Sequence, residues 1–341
     1  MTNPLPAQTS APDPGLRGLM SLGAGLVLGR APTSDGRVTL WLVDGDEVCV
    51  LDTLPTRPLE RAHSVEPVVD LPRGRALFPV GDTMFALDLT TRRLSVAWAL
   101  PADDELWSAR CAGPLLLARG RGLWAWDLAS GALVWSGPEE RRQDFVRASD
   151  GALLGVTLAE GPTQARLIVE DLQRGSVRAE LTLGVEAGGS VGSVAFVGGG
   201  EALLCARRGG GGGALFDEAL WVEAGRERSL GVWSASLTPT PYGIVACAPL
   251  DEDWAFVAGR DVGGQRYSTL IHLHTASHHP VPHRAQLAPG GWALGVDGAL
   301  SNAQSGARWQ LTPTPARALC LAYDGRSASA LVAGRVLGWA W

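Results

Sequence analysis

Apolar residues along the chain fall into short runs of about five to nine, separated by Gly, Pro, Asp and Ser. Apolar positions spaced three and four apart, the mark of a helix, are nearly absent. The pattern predicts an all-β protein. Its clearest unit is GLWAWDLASGALVW (122–135), where an alternating strand ends in Asp127, turns through ASG and returns as a second strand ending in Trp135. TMFALDLTTRRLSVAW (83–98) repeats that grammar, and ARLIVEDLQRGSVRAEL (165–181) is a looser copy. EVCVLDTLPTRPLERA (47–62) keeps strand, Asp and turn but lacks the Trp. Later copies degrade: EALWVEAGRERSLGVW (218–233) keeps strand, turn and Trp, whereas YSTLIHLHTASHHPVPH (267–283) keeps only strand, turn and strand. GALSNAQSGARWQL (298–311) recovers Ser-Gly and Trp.

The Asp residues of the better copies stand at 52, 88, 127 and 171, intervals of 36, 39 and 44 that suit one four-stranded antiparallel unit per repeat. Such a sheet cannot bury both faces alone, and packing sheets radially lets each shield its neighbours. The Asp is expected to accept turn N–H groups, and the Trp to lie as an apolar plate against the next unit. The expected fold is a β-propeller. ALDLTTRRLSVAW and AWDLASGALVW resemble the PQQ-like and WD-type propeller repeats, the first with Arg where that signature has Gly.

Strand counting favours eight blades, with seven as the alternative. Four candidate strands fall in each of 26–62, 66–100, 106–136, 144–183, 191–236 and 242–286, and about three in each of 291–311 and 318–341. LRGLMSL (16–22) is expected to complete the last blade, so that the two chain ends pair and two open sheet edges are removed. Residues 1–15 are expected to be a flexible tail and 16–341 one propeller domain.

Composition narrows the function classes. The chain has 341 residues and a formal charge of -6, and every one of its 29 basic residues is Arg. Without Lys there is no Schiff-base chemistry and no Walker lysine. An acidic chain with dispersed arginines lacks the dense cationic surface that nucleic acid requires. No run approaches the roughly 20 apolar residues of a membrane helix, and the polar, Pro-rich start does not read as a secretory signal. The five single cysteines at 49, 111, 205, 247 and 320 point to buried reduced thiols and a cytoplasmic location.

Candidate chemistry is sparse. His272, His274, His278, His279 and His283 crowd one segment, and strand alternation puts the first two on one face, a spacing that suits Zn, Cu or Ni. An incidental histidine-rich hairpin explains the same residues without metal. RRGGGGGALF (207–216) lacks the Lys-Ser/Thr of a phosphate loop and reads as a hairpin tip. The clusters 103–105 and 251–253 are acidic but lack calcium-loop spacing.

The expected function is therefore a non-catalytic, intracellular bacterial scaffold without a cofactor that binds protein partners, acting as a monomer in isolation. The alternative is a ligand- or metal-dependent propeller enzyme using its axial funnel or the histidines. Trp107, Arg141, Arg142, Phe145, Trp254 and Arg266 are candidate contact residues, because aromatic and Arg side chains in loops are common interface anchors. The chain is also similar to compact propellers that accompany a MoxR-type AAA+ ATPase and a von Willebrand factor A protein. That similarity implies those two as partners.

Overall fold

The computed structural model describes residues 7–340 apart from 15, 17, 24–25, 36, 56–66, 81, 101–105, 107, 139–141, 162, 186–188, 212–213, 236–245, 261–264, 283–284, 313–315, 317, 323–326 and 334. Among them are eight four-stranded antiparallel sheets, here blades 1–8, with one short 3-10 turn at Leu71–Arg73. This is the β-propeller fold. Blade 1 is β2 (Gly18–Gly23), β3 (Leu26–Pro32), β4 (Arg37–Asp44) and β5 (Glu47–Pro55). Blade 2 is β6 (Val68–Asp70), β7 (Arg75–Val80), β8 (Thr83–Asp88) and β9 (Leu94–Ala99). β10 (Ser108–Ala112), β11 (Leu115–Arg119), β12 (Gly122–Asp127) and β13 (Leu133–Pro138) form blade 3. β14 (Arg142–Arg147), β15 (Leu153–Glu160), β16 (Gln164–Asp171) and β17 (Ser176–Gly184) form blade 4. Blade 5 contains β18 (Ser190–Val197), β19 (Ala202–Gly211), β20 (Ala214–Glu223) and β21 (Arg226–Ala235). Blade 6 contains β22 (Ala246–Pro249), β23 (Trp254–Arg260), β24 (Arg266–His272) and β25 (Ser277–Pro280). Blade 7 is short, with β26 (Gln286–Ala288), β27 (Trp292–Leu294), β28 (Ala299–Asn302) and β29 (Arg308–Gln310). In blade 8, β30 (Ala318–Leu321), β31 (Ser327–Val332) and β32 (Arg335–Ala340) are completed by β1 (Ala7–Pro12).

That last strand corrects two expectations. Part of the stretch expected to be a tail is β1, which pairs with β32 from Ala7↔Ala340 to Pro12↔Arg335. Arg335 Nε donates to Ser10 Oγ at 2.6 Å. Leu16–Leu22, expected to close the last blade, instead leads into the first strand of blade 1. Leu16 N–H donates to Asp13 Oδ1 at 2.7 Å, and the Leu16 side chain lies directly on Gly29, where a Cβ would meet it at 2.5 Å. A Pro-rich stretch suits an edge strand, which needs only one row of its N–H groups.

The chain divides into two compact units, Met1–Pro138 with Arg284–Trp341, and Glu139–His283. In the first, blade 1 is covered on both faces. Leu28, Leu40 and Leu42 pack with Phe78 and Leu87 of blade 2, while Val27 and Val43 pack with Leu331 and Val336 of blade 8. Each fully buried aliphatic side chain stabilises the fold by roughly 1.5–3 kcal/mol in transfer terms. In the second unit, Leu154, Val156 and Leu167 of blade 4 meet Phe196, Leu203 and Leu220 of blade 5, and Trp221 begins the layer shared with blade 6. Middle strands are therefore apolar on both sides, as in β11 and β12, whereas the fourth strands β9, β13 and β17 are largely exposed.

Side chains also join the first strands of successive blades. Gln286 behaves like a strand backbone, donating to Leu319 O at 2.7 Å and accepting from Leu321 N–H at 2.6 Å. Asp144 accepts from Phe196 N–H, and Ser193 donates to Cys247 O.

Candidate interaction surface

One turn recurs between the third and fourth strands. Asp88, Asp127, Asp171, His272 and Asn302 each accept, on the backbone oxygen, the N–H of the residue four positions on, at 2.7–3.0 Å. Those fourth residues, Arg92, Gly131, Gly175, Ala276 and Gly306, all have positive φ of 55–70°. The side chain of the first residue caps the turn. Asp127 Oδ1 accepts from Ser130 N–H at 2.8 Å, Asp88 Oδ1 from Thr91 N–H at 2.6 Å, and Asn302 Oδ1 from Ser305 N–H at 2.7 Å. Ser130 thereby holds the Asp127 carboxyl below its ordinary pKa, and the Thr91 bonds do the same for Asp88. Asp52, read from sequence as one of this series, sits instead within β5 of the fourth strand, and Asp44 ends the third strand of blade 1. Trp98 does lie against the following blade, 6.2 Å from Trp126 and beside Gly131, where a Cβ would meet it at 3.0 Å.

The histidines are shared out among structural tasks. His272 occupies the capping position of blade 6, with Thr275 N–H donating to its Nδ1 at 3.3 Å. His272 and His279 flank Trp254, with ring centroids at 5.0 and 5.4 Å. His274 is exposed, 3.3 Å from Asp253 and tilted on Trp221. His278 donates to Leu230 O of blade 5 at 2.6 Å. Although the His272 and His274 rings are 5.9 Å apart, no group of three His, Cys, Asp or Glu among the described residues is placed to hold a metal. His283 lies outside the described residues.

Two of the candidate contact residues are buried in the core rather than displayed in loops: Phe145 on β14 and Trp254 at the start of β23. Apolar packing outweighed their placement near turns. Arg266 is exposed at the start of β24, and Arg142 begins β14. Trp107 and Arg141 lie outside the described residues, as does the acidic cluster 103–105. In the second acidic cluster Asp251 caps its own turn, accepting from Asp253 and Trp254 N–H. The glycine run lies in the β19–β20 hairpin, where Gly209 pairs with Phe216 and Gly211 with Ala214. None of the five cysteines is in a disulfide, but Cys49 is exposed, against expectation. Burial raises the Cys205 thiol to about 12, and burial with nearby Asp70 raises Cys111 to about 11.

Sequence reading missed a feature of the fourth strands. In blades 1–5 the pairing of third and fourth strands shifts by one residue, so that Leu51, Ala97, Val134, Arg178 and Leu230 are the extra residues of β-bulges. Immediately before the bulge in blades 1–4 stand Val50, Val96, Leu133 and Val177, exposed by 53, 65, 49 and 58%. Single exposed aliphatics are ordinary, but one register position kept aliphatic and exposed in four successive blades is a pattern. The signal in the sequence is an aliphatic residue a few positions past each turn, which burial rules alone assign to the core.

No protein-family model matches the chain, and no curated protein matches it. Among solved structures it is similar to BamB from Moraxella catarrhalis, at 15% identity and a TM-score of 0.49, covering 99% of this chain and 100% of that one. It is also similar to Kuenenia stuttgartiensis hydrazine synthase, at 13% identity and a TM-score of 0.47, covering 97% of this chain and 94% of that one. A chain of the mitotic checkpoint complex aligns at 12% identity and a TM-score of 0.48, covering 87% of this chain and 98% of that one.

Proposed function

We propose that this protein is a non-catalytic scaffold that binds protein partners through its blades. The observation that carries the reading is the register-matched set Val50, Val96 and Leu133 on the bulged outer strands of one unit, a position that Val177 repeats within the other. Exposed aliphatic groups cost solubility and add nothing to the core, so their repetition favours a covered surface. The chemically versatile side chains are meanwhile engaged in holding the frame: Asp127 and His272 cap turns, and Cys205 and Cys247 are buried. The reading places the protein in a bacterial cytoplasm.

Its narrower form takes the partners to be a MoxR-type AAA+ ATPase and a von Willebrand A protein. This form is supported only by the sequence resemblance described above. The test is affinity purification from the source cells with the wild-type chain and a V50D/V96D/L133D variant of unchanged melting temperature. A partner held by the wild type and depleted at least tenfold with the variant is expected. Equal recovery overturns the reading. Recovery of partners that include neither the ATPase nor a von Willebrand A protein rejects the narrower form alone.

A further inference from the structure

Blades 4 and 5 enclose a groove of about 510 Å³. Leu154 and Val169 of blade 4 and Leu203 and Val222 of blade 5, all core residues, line it together with half-buried Leu181. Arg178 and Ala179 of β17 form one side, and Glu201 and the Ala224–Gly225 turn belong to the other blade. An apolar lining with a few charged groups at its margin is the usual composition of a binding site.

The charges are unevenly spent. Arg178, the extra residue of its bulge, puts one Nη2 at 3.2 Å from both the buried Asp171 and the exposed Asp150. Burial pushes the Asp171 carboxyl upward, but the Arg174 N–H, the Arg178 guanidinium and the Gln173 N–H outweigh it and keep it ionised. Arg178 is therefore already engaged by two carboxylates and is poorly placed to receive a third. Glu201 is exposed, and no ion pair reaches it among the described residues. Glu252 approaches the neighbouring Gly198 corner. Of the charged residues that line the groove, Asp150 and Glu201 are carboxylates and Arg178 is a guanidinium, so the unmatched charge is negative. β17 is also the end strand of its sheet, so its outward N–H and C=O groups have no partner within that sheet.

We propose that this groove docks an extended segment of a protein partner in which an aliphatic side chain stands next to a lysine or arginine. The aliphatic group fills the space above Leu154 and Val222, the cation meets Glu201, and the segment's backbone pairs along β17. This rests on the scaffold reading but uses none of Val50, Val96 or Leu133, so the two fail separately.

The test pans a phage-displayed random heptapeptide library on the full chain, with counter-selection on Ala179→Trp, which fills the groove from an exposed strand position. Enrichment of peptides pairing an aliphatic residue with Lys or Arg is expected. The enriched peptide, labelled for fluorescence anisotropy, should bind Glu201→Lys at least tenfold more weakly and V50D/V96D/L133D as tightly as wild type. No enrichment, an acidic consensus, or unchanged affinity for Glu201→Lys overturns the proposal. Displacement by butylamine at the peptide's own concentration also overturns it, assigning the groove to a small amine.

Discussion

Blades 3 and 6 build the same turn from different chemistry. In blade 3 an ionised carboxylate, Asp127, caps Ser130 at 2.8 Å and Gly131 takes the left-handed position. In blade 6 an imidazole, His272, caps Thr275 at 3.3 Å and Ala276 takes it. In both, the following residue returns a bond to an earlier turn: Leu128 N–H to Pro114 O, and Leu273 N–H to Asp253 O. Backbone geometry is the repeating element, and the cap is whichever short acceptor the blade supplies. A histidine that resembles a metal ligand in sequence is, by position, the counterpart of an aspartate.

Gly131→Val should cost the most, about 2–4 kcal/mol by urea unfolding, because a β-branched residue at φ +69° is strained and its Cβ meets Trp98. A loss below 1 kcal/mol would show that the turn yields instead.

Next comes the cap itself. Asp127→Ala should lower the melting temperature by about 2–3 °C and His272→Ala by under about 1 °C, since a bond to an ionised acceptor is stronger. The Asp127 carboxyl is held below its ordinary value, so its contribution is present above the unfolded pKa near 3.9 and fades as pH falls through the folded value. The gap between wild type and Asp127→Asn should therefore close below about pH 4. Equal gaps at pH 7 and pH 3 would refute the capping role. The smallest effect is a gain: Ala276→Gly should stabilise blade 6 by about 0.5–1 kcal/mol, as glycine adopts φ +55° without a Cβ penalty.

Much of the fold was legible because its signals are local. In LDLTTRR and WDLASG, Asp followed by small or polar residues marks the turn, and Trp98 marks the plate against the next blade. Asp44 was passed over for Asp52 because a two-residue hairpin, Gly45-Asp46, has no ASG-like signature. Phe145 and Trp254 were misplaced because an aromatic beside a turn reads the same whether it faces solvent or the adjoining blade.

Alternation and turn residues thus determined on their own that the chain is all-β, where its hairpins lie, and that repeated blades cover one another. These are properties of residues within about ten positions, whose bonds form without reference to distant parts. Tertiary structure alone decided that Ala7–Pro12 pairs with Arg335–Ala340, which first strand belongs to which blade, and how the four histidines are divided. It also created the groove beside Arg178, because contacts between neighbouring sheets depend on which faces meet, and no local spacing encodes that.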